Sequence, residues 1–203
     1  KFSCYTPDHE VLTTDGWVNI ADITKNHRVA SLQHGTILVY DNPLEIMSYD
    51  CDEDVYEINT TQISLKVTKN HRMWINDCND NDINNFKIIT AEQCYGNQLK
   101  YMTNCQYWLP TQNNNKTEYD LNRIIIDLGK SIKKNSYSMP EWVWFLTRNQ
   151  CKLLLNVLES SEDCKIKDKK ICYCTTNLYF ANDYQQLCLH AGFSASLILK
   201  YKA

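Results

Sequence analysis

The feature that most constrains the fold is a change of hydrophobic period about halfway along the chain. Up to about residue 105, apolar residues fall in short runs rich in β-branched and aromatic side chains, and turn residues such as Asp15-Gly16 separate these runs. This pattern predicts many short β-strands. From residue 121 the period is that of a helix. The residues on this predicted helix face are Leu121, Ile124, Ile125, Leu128 and Ile132. The sequence therefore predicts an all-β unit followed by an α+β unit.

The individual elements can be predicted from the same patterns. Strands are expected at Glu10–Thr14, Trp17–Ile20, Arg28–Leu32, Ile37–Tyr40, Val55–Asn59, Ser64–Thr68, Met73–Ile75, Cys164–Lys167, Ile171–Thr175 and Ser196–Tyr201. A capping-box pattern, Thr147-Arg148-Asn149-Gln150, predicts the start of a second helix. A third helix should run from about Phe180 to Ala191 and stop at Gly192. The polar stretch from Gln112 to Thr117 is the predicted boundary between the units.

Charge divides the chain at about the same place. Residues 1–120 carry 9 Lys+Arg against 17 Asp+Glu, and residues 121–203 carry 12 against 7, so the halves have net charges of −8 and +5. Two units of different ancestry would explain this, the basic one facing nucleic acid; neutral drift of two surfaces would explain it equally. The chain contains no apolar run long enough for a membrane span and no secretory signal, so we expect an intracellular protein without membrane contact, in the cytoplasm or nucleus.

The ten cysteines could indicate disulfides, a metal site or simple packing. Without a secretory signal, and in a chain of 203 residues, we interpret most of them as buried small hydrophobic residues. Structural zinc usually needs paired Cys-x-x-Cys units, which the sequence lacks. The nearest approaches are Cys172-x-Cys174 and Cys188-x-His190, and both fit a strand or helix pattern.

Two short segments carry residues suited to rearranging a peptide bond. The first runs from Cys4 to Trp17 and places a cysteine before a predicted strand–turn–strand. The second runs from Val67 to Trp74 and contains Thr68-x-x-His71. Among common side chains, a thiol is the best nucleophile near neutral pH, and an imidazole can transfer protons in that range. At this spacing the two segments resemble the first two splicing motifs of inteins, which belong to the Hint family.

The resemblance implies roles for individual residues. Cys4 would attack the carbonyl of Ser3 through a five-membered ring and replace the Ser3–Cys4 amide by a thioester, an N-to-S acyl shift favoured by proximity. His71 would give a proton to the departing backbone nitrogen. Thr68 would orient the same peptide group, and Asn70 would assist. Splicing of this kind would require no cofactor and no metal.

The second half resembles the back half of a LAGLIDADG homing endonuclease of the kind inserted in viral and eukaryotic inteins. The resemblance lies in Ser138–Trp144, Leu153–Asp163, Tyr173–Asn177 and Asp183–Gly192. In that family a helix ends in Gly-Asp-Gly, whose acidic residue holds Mg²⁺ against DNA. This chain has Ser161-Glu162-Asp163 there, so Glu162 or Asp163 would be the metal ligand and Mg²⁺ the cofactor only if the domain were active. The second motif that such an enzyme needs is matched poorly by Ile124–Gly129. We interpret this half as a degenerate scaffold and do not expect it to cut DNA.

Together the resemblances predict three segments. Residues 1–3 would belong to the host protein (the N-extein), residues 4–110 to a horseshoe-like, all-β Hint splicing domain, and residues 111–203 to a partial α+β endonuclease-like domain. Complete inteins end in His-Asn, a pair that this sequence lacks. We therefore expect a complementary carboxy-terminal fragment to supply the last catalytic residues, as in a trans-splicing split intein. The isolated chain should cleave slowly or not at all at Ser3–Cys4.

Two alternatives stay open from the sequence. The basic half could cut DNA, or the first half could be a Hint module that transfers its acyl group to another nucleophile, as hedgehog domains do. The other histidines carry no assigned chemistry. We assign no role to His9 or His27, place His34 in a turn and interpret His190 as a packing residue.

Overall fold

The computed structural model describes residues 3–60, 62–108, 110, 118–135, 138–160, 164–167 and 170–199. The chain divides into two compact units. The first comprises residues 1–30 and 40–103, and the second comprises residues 31–39 and 104–203. Residues 31–39 and 104–110, which the sequence analysis assigned to the splicing domain, thus belong to the second unit. The predicted functional boundary near residue 110 stays a prediction.

The first unit is rich in β-structure, as predicted. Its strands are β1 (Glu10–Thr13), β2 (Gly16–Asn19), β5 (Val55–Asn59), β6 (Ser64–Thr68), β7 (Arg72–Asp77), β8 (Lys87–Thr90) and β9 (Leu99–Tyr101). Two further strands, β3 (Val29–Gln33) and β4 (Ile37–Asp41), are divided between the units, so that the start of β3 and the end of β4 lie in this one. One short helix, α1 (Ala91–Cys94), follows β8. Strand β6 pairs antiparallel with β5, and β7 lies between β8 and β9. Strands β8 and β9 were not predicted.

The predicted hairpin at Asp15-Gly16 is confirmed. Strands β1 and β2 pair antiparallel from Glu10 opposite Asn19 to Thr13 opposite Gly16. Gly16 has φ +96°, which a residue without a Cβ adopts readily. The buried Thr13 hydroxyl donates to the Gly16 carbonyl at 2.9 Å and accepts from the Asp15 N–H at 3.0 Å, so the side chain closes the turn.

The core of the first unit lies under β6 and β7. Its buried members are Val67, Met73, Ile75, Ala91 and Cys94. Alternation along β7 places Met73 and Ile75 inward, whereas Arg72 is exposed. Burial of these apolar side chains stabilises β6, which ends at Thr68, and β7, which begins directly after His71.

The second unit is mainly helical. It contains α2 (Glu118–Asn135), α3 (Arg148–Glu159), α4 (Leu178–His190), the hairpin of β11 (Cys164–Lys167) and β12 (Lys170–Tyr173), and the two-residue β10 (Tyr107–Trp108), parallel to β4. Its core is formed by the predicted faces of α2 and α3, including Leu121, Ile125, Leu154, Leu155 and Leu158. The helical spacing of apolar residues predicted these helices correctly, because one face of each helix is buried.

The predicted ends of α3 and α4 are confirmed. Thr147 and Gln150 form the reciprocal capping box that begins α3. Helix α4 ends at His190, and Gly192 follows with φ +85°, while the Phe193 N–H donates to the Cys188 carbonyl at 2.8 Å. This bond around a left-handed glycine is the Schellman arrangement, which commonly ends a helix.

Two other expectations were wrong. Within the described residues, Ser196–Leu199 belong to no strand, because a strand needs a hydrogen-bonded neighbour that this part of the structure does not provide; the remainder of that prediction, residues 200 and 201, lies outside the described range. All ten cysteines are free, but only Cys94, Cys105, Cys151 and Cys188 are buried. Of the others, Cys4, Cys78 and Cys164 are half-buried, and Cys51, Cys172 and Cys174 are exposed. None of the described helices has both the length and the apolar character required to cross a membrane.

Close packing of α2 against α3 depends on Gly129. A Cβ at this position would lie 2.6 Å from Val157 Cγ1 and 3.0 Å from Val157 Cβ. Valine has one strongly preferred rotamer in a helix and cannot move aside easily. We expect Gly129→Ala to cost about 1–3 kcal/mol through overpacking, offset by about 1 kcal/mol of improved helix propensity.

The Gly129 prediction is tested by a double-mutant cycle with Val157→Ala, measured by urea unfolding. The double variant should be more stable than the sum of the two single effects predicts, since the smaller side chain makes room for the new methyl. Additive effects would show that the two helices do not contact at this point.

His190 is fully buried, as its predicted packing role requires. Its ring stacks on Trp108 with centroids 4.1 Å apart. Burial disfavours the charged imidazolium and lowers the pKa of His190 to about 3. In the unfolded chain a histidine titrates near 6.5, so the unfolded state gains protons first as the pH falls. The stability of this unit should therefore be complete above pH 6.5 and decline from there towards pH 3.

The acid sensitivity can be measured by denaturant unfolding followed through tryptophan fluorescence. Between pH 7.5 and pH 5.0, the wild-type chain should lose about 2 kcal/mol more of its unfolding free energy than His190→Phe, which has no group to protonate. His27→Phe, a change in the first unit, is the matched control for the replacement of a histidine by phenylalanine. Equal losses in wild type and His190→Phe would contradict the interpretation.

Candidate functional site: Cys4, Thr68 and His71

The segment that carries Cys4 lies along strand β6. The Thr68 N–H donates to the Cys4 carbonyl at 3.0 Å, and the Thr6 N–H donates to the Lys66 carbonyl at 3.0 Å. Between these bonds, Tyr5 forms an antiparallel bridge with Val67. Antiparallel pairing of this kind fixes which residues lie opposite each other. It therefore brings Cys4 beside Thr68, 64 residues further along the chain.

The Thr68 side chain holds the amide of Cys4. Thr68 is buried with 4% exposure, and its Oγ1 accepts the Cys4 N–H at 3.0 Å. The backbone bond from Thr68 to Cys4 runs the other way, so the two residues are joined reciprocally. The hydroxyl thus binds the nitrogen of the Ser3–Cys4 peptide bond and restricts its orientation.

His71 lies next to the residue that precedes Cys4. A tight turn follows β6, closed by the His71 N–H donating to the Thr68 carbonyl at 2.9 Å. Ser3 Oγ lies 3.5 Å from His71 Nδ1 and accepts the Arg72 N–H at 3.3 Å. The structure thus places Thr68 against Cys4 and His71 against Ser3.

Burial controls the protonation of His71. The residue is 8% exposed, and its ring meets the edge of the Tyr5 ring at a centroid distance of 4.3 Å. Desolvation lowers the pKa of His71 below its usual 6.5, and repulsion from the charged form of His9 and from Arg72 lowers it further. The imidazole is therefore neutral at pH 7 and can accept a proton.

Asn70, which was predicted to assist, lies in the same turn as His71. Its side-chain Nδ2 is buried and has no hydrogen-bond partner among the described residues. A buried amide donor without an acceptor costs free energy, so its presence calls for an explanation. Asn70 is therefore available to an acceptor that forms during a reaction.

His9 contacts this site, although the sequence analysis assigned it no role. Its ring lies 5.2 Å from that of Tyr5, on the segment that pairs with β6. No periodic signal could have revealed it, since turn residues follow no hydrophobic period. Its only sequence clue was its position five residues after Cys4.

The position of the possible nuclease ligands is not described. Glu162 and Asp163 lie outside the described residues. Among the residues that the structure does describe, no group of three or more His, Cys, Asp or Glu side chains is arranged to hold a metal ion. His27 and His34 lie in loops of the amino-terminal half, and His34 has φ 51° in the predicted turn.

Comparison with known proteins links the chain to segments of two larger proteins. Over 97% of its length it is 27% identical to a protein of Chlamydomonas moewusii described as an ATP-dependent Clp protease proteolytic subunit. Over its whole length it is 24% identical to a protein of Stigeoclonium helveticum described as a DNA-directed RNA polymerase subunit beta C-terminal section. No family model and no solved structure matches the chain.

The extent of these matches is informative. The chain spans under a third of each relative, 28% of the first and 30% of the second. The aligned regions extend over 289 and 319 positions, more than the 203 residues of the chain. Each relative therefore has additional residues within the matched region.

Proposed function

We propose that this chain is the amino-terminal part of an intein, in which Cys4 attacks the Ser3–Cys4 bond to begin protein splicing. The observation that carries the proposal is the reciprocal bonding of Cys4 and Thr68, with His71 next to Ser3. The Cys4 N–H donates to Thr68 Oγ1 at 3.0 Å, and Ser3 Oγ lies 3.5 Å from His71 Nδ1. These contacts hold the amide beside a base, as an acyl shift requires.

The relatives support the proposal through their names. A protease subunit and an RNA polymerase subunit have unrelated activities, yet each contains a segment that matches almost the whole chain. Shared ancestry of the two activities would not explain this. A self-excising segment inserted in different hosts would, because its sequence is independent of what the host does.

The chemistry follows from the protonation of the groups. Neutral His71 takes the proton of the Cys4 thiol, and the thiolate sulfur attacks the Ser3 carbonyl carbon. The S–C bond forms and the C–N bond breaks, while the imidazolium returns its proton to the departing nitrogen of Cys4. A lowered pKa makes that imidazolium a stronger acid than an ordinary one. Thr68 keeps hold of the nitrogen, and the buried amide of Asn70 is a candidate donor to the charged oxygen that forms on Ser3.

The later steps need residues that we propose come from a complementary carboxy-terminal fragment, in trans. On mixing, a splicing pair would give a ligated host product, which mass spectrometry detects. DNA cleavage through Glu162 or Asp163 with Mg²⁺, and hedgehog-like acyl transfer, stay predictions from the sequence.

The first step can be tested on the chain itself. A reporter domain fused before Lys1 should be released slowly by dithiothreitol, leaving a chain that begins at Cys4. The thiol exchanges with the thioester and so draws the reaction forward. Release that does not depend on dithiothreitol, or an end at another residue, would contradict the proposal.

A further inference from the structure

His9 takes part in the pairing that holds Cys4. Its side chain is 14% exposed, and its two ring nitrogens contact backbone groups on both sides. Nε2 accepts the Lys66 N–H at 3.1 Å, and Nδ1 lies 3.0 Å from the Thr6 carbonyl oxygen. Only the neutral ring with its proton on Nδ1 satisfies both contacts, since a carbonyl must receive a proton and an N–H must meet a lone pair.

These contacts extend the pairing along β6. From one end to the other, the Thr68 N–H meets the Cys4 carbonyl, the Thr6 N–H meets the Lys66 carbonyl, and the Lys66 N–H meets His9 Nε2. The imidazole therefore occupies the position that a backbone carbonyl would take in a continuous ladder. The same residue is fixed on its other side by the Ile20 N–H, which donates to the His9 carbonyl at 2.9 Å.

We propose that His9 is a positioning residue for the acyl shift: its neutral imidazole anchors the Cys4 segment to β6 and so keeps the Cys4 amide on Thr68. The inference rests on the proposed function, because the amide that it positions is the one that breaks. His9 does not touch the reacting atoms. It acts through Lys66, two residues before Thr68 on the same strand.

Charged and aromatic side chains surround His9, and a second proton on its ring would change its contacts with them. Asp8 Oδ1 lies 3.6 Å from His9 Nδ1, and the Lys66 ammonium lies 3.6 Å from Asp8 and 4.0 Å from Glu57. On the other side the Tyr5 ring contacts the rings of both His9 and His71. Protonation of Nε2 would remove the acceptor for the Lys66 N–H and place a positive charge near His71.

The experiment compares His9→Leu with His9→Gln. Leucine fills a similar volume but accepts no hydrogen bond, whereas the glutamine carbonyl can reach the Lys66 N–H. Trapping of the acyl group by hydroxylamine should slow about tenfold or more in His9→Leu, since misplacing a reacting group is expensive. His9→Gln should stay within about threefold of wild type. His27→Leu is the matched control, because His27 Nδ1 also accepts a backbone N–H, that of Thr24 at 2.9 Å, and should react like wild type.

Two nuclear magnetic resonance measurements separate positioning from general stability. Hydrogen exchange of the Lys66 and Thr68 amides should be about tenfold faster in His9→Leu and close to wild type in His9→Gln. At acid pH, where both rings can carry a charge, repulsion from His9 lowers the pKa of His71, so the midpoint of the His71 titration should move up in both variants. That shift reports the electrostatic contact between the two rings, whereas positioning is reported by the difference in Lys66 exchange between His9→Leu and His9→Gln.

Each outcome has one meaning. Wild-type trapping or unchanged Lys66 exchange in His9→Leu would overturn the proposal, as would a His9→Gln chain that behaves like His9→Leu. If His9→Leu does not fold, the ¹⁵N spectrum of His9 in the wild-type chain decides: a proton on Nδ1 and a free lone pair on Nε2 are expected, and the opposite tautomer refutes it. If wild type itself forms no trapped product, the proposed function fails, while the exchange measurements still test the anchoring by His9.

Discussion

Cys4→Ala should abolish trapping of the acyl group by hydroxylamine. Alanine keeps the backbone pairing with Thr68, so the amide remains oriented, but the chain then has no atom able to attack the Ser3 carbonyl. Loss of a covalent nucleophile cannot be compensated by neighbouring groups. Intact-mass measurement in hydroxylamine should find the variant unchanged over the period in which the same reagent removes the first three residues from wild type.

The cysteine variant has matched controls in the same unit. Cys51→Ala removes an exposed thiol from a loop and should leave the reaction at the wild-type rate. Cys4→Ser keeps a weaker nucleophile in place and should react slowly, to an ester that hydroxylamine also traps. Loss of residues 1–3 from Cys4→Ala would assign the cleavage to another mechanism.

His71→Ala should slow the trapped reaction by about 10²–10⁴-fold, the usual effect of removing a general acid–base group. The imidazole is buried beside Ser3, and in its absence water must transfer both protons. His27→Ala is the control and should react normally. A His71→Ala rate within a factor of about three of wild type would exclude the proton-transfer role.

The pH dependence of the wild-type rate gives a second measure of the same group. Burial lowers the pKa of His71, so the base form predominates at pH values above that lowered pKa and declines as the pH falls through it. The rate should therefore rise on the acid side with a midpoint below 6.5. A midpoint above 6.5 would mean that the imidazolium, or a different group, controls the step.

Parts of the structure followed from local patterns in the sequence. Helix α3 was predicted because its apolar period and its Thr147–Gln150 capping box both act over a few residues. The β1–β2 hairpin was predicted for the same reason, because Gly16 can take the positive φ that the tight turn after Asp15 requires. The strand that was predicted from Ser196 and is absent over Ser196–Leu199 shows the limit of this reasoning. An apolar run predicts a strand only if a neighbouring strand completes its hydrogen bonds.

The candidate site depends on contacts between distant residues. The resemblance to the first two intein motifs led to Cys4, Thr68 and His71, and the pairing of residues 4–6 with β6 explains how Cys4 meets Thr68 and how Ser3 comes beside His71. His9 was missed because an imidazole that replaces a backbone carbonyl leaves no mark on composition or period. The functional roles of Glu162 and Asp163 remain predictions from the sequence.

The central claim is that the sulfur of Cys4 takes the acyl group from the nitrogen next to it. Incubation of the wild-type chain with hydroxylamine, followed by mass spectrometry of the released peptide, tests this directly. We predict Lys-Phe-Ser as its hydroxamate together with a chain that begins at Cys4. A peptide ending in a free carboxylate would indicate hydrolysis, and an intact chain would indicate that no thioester forms; either result would contradict the account.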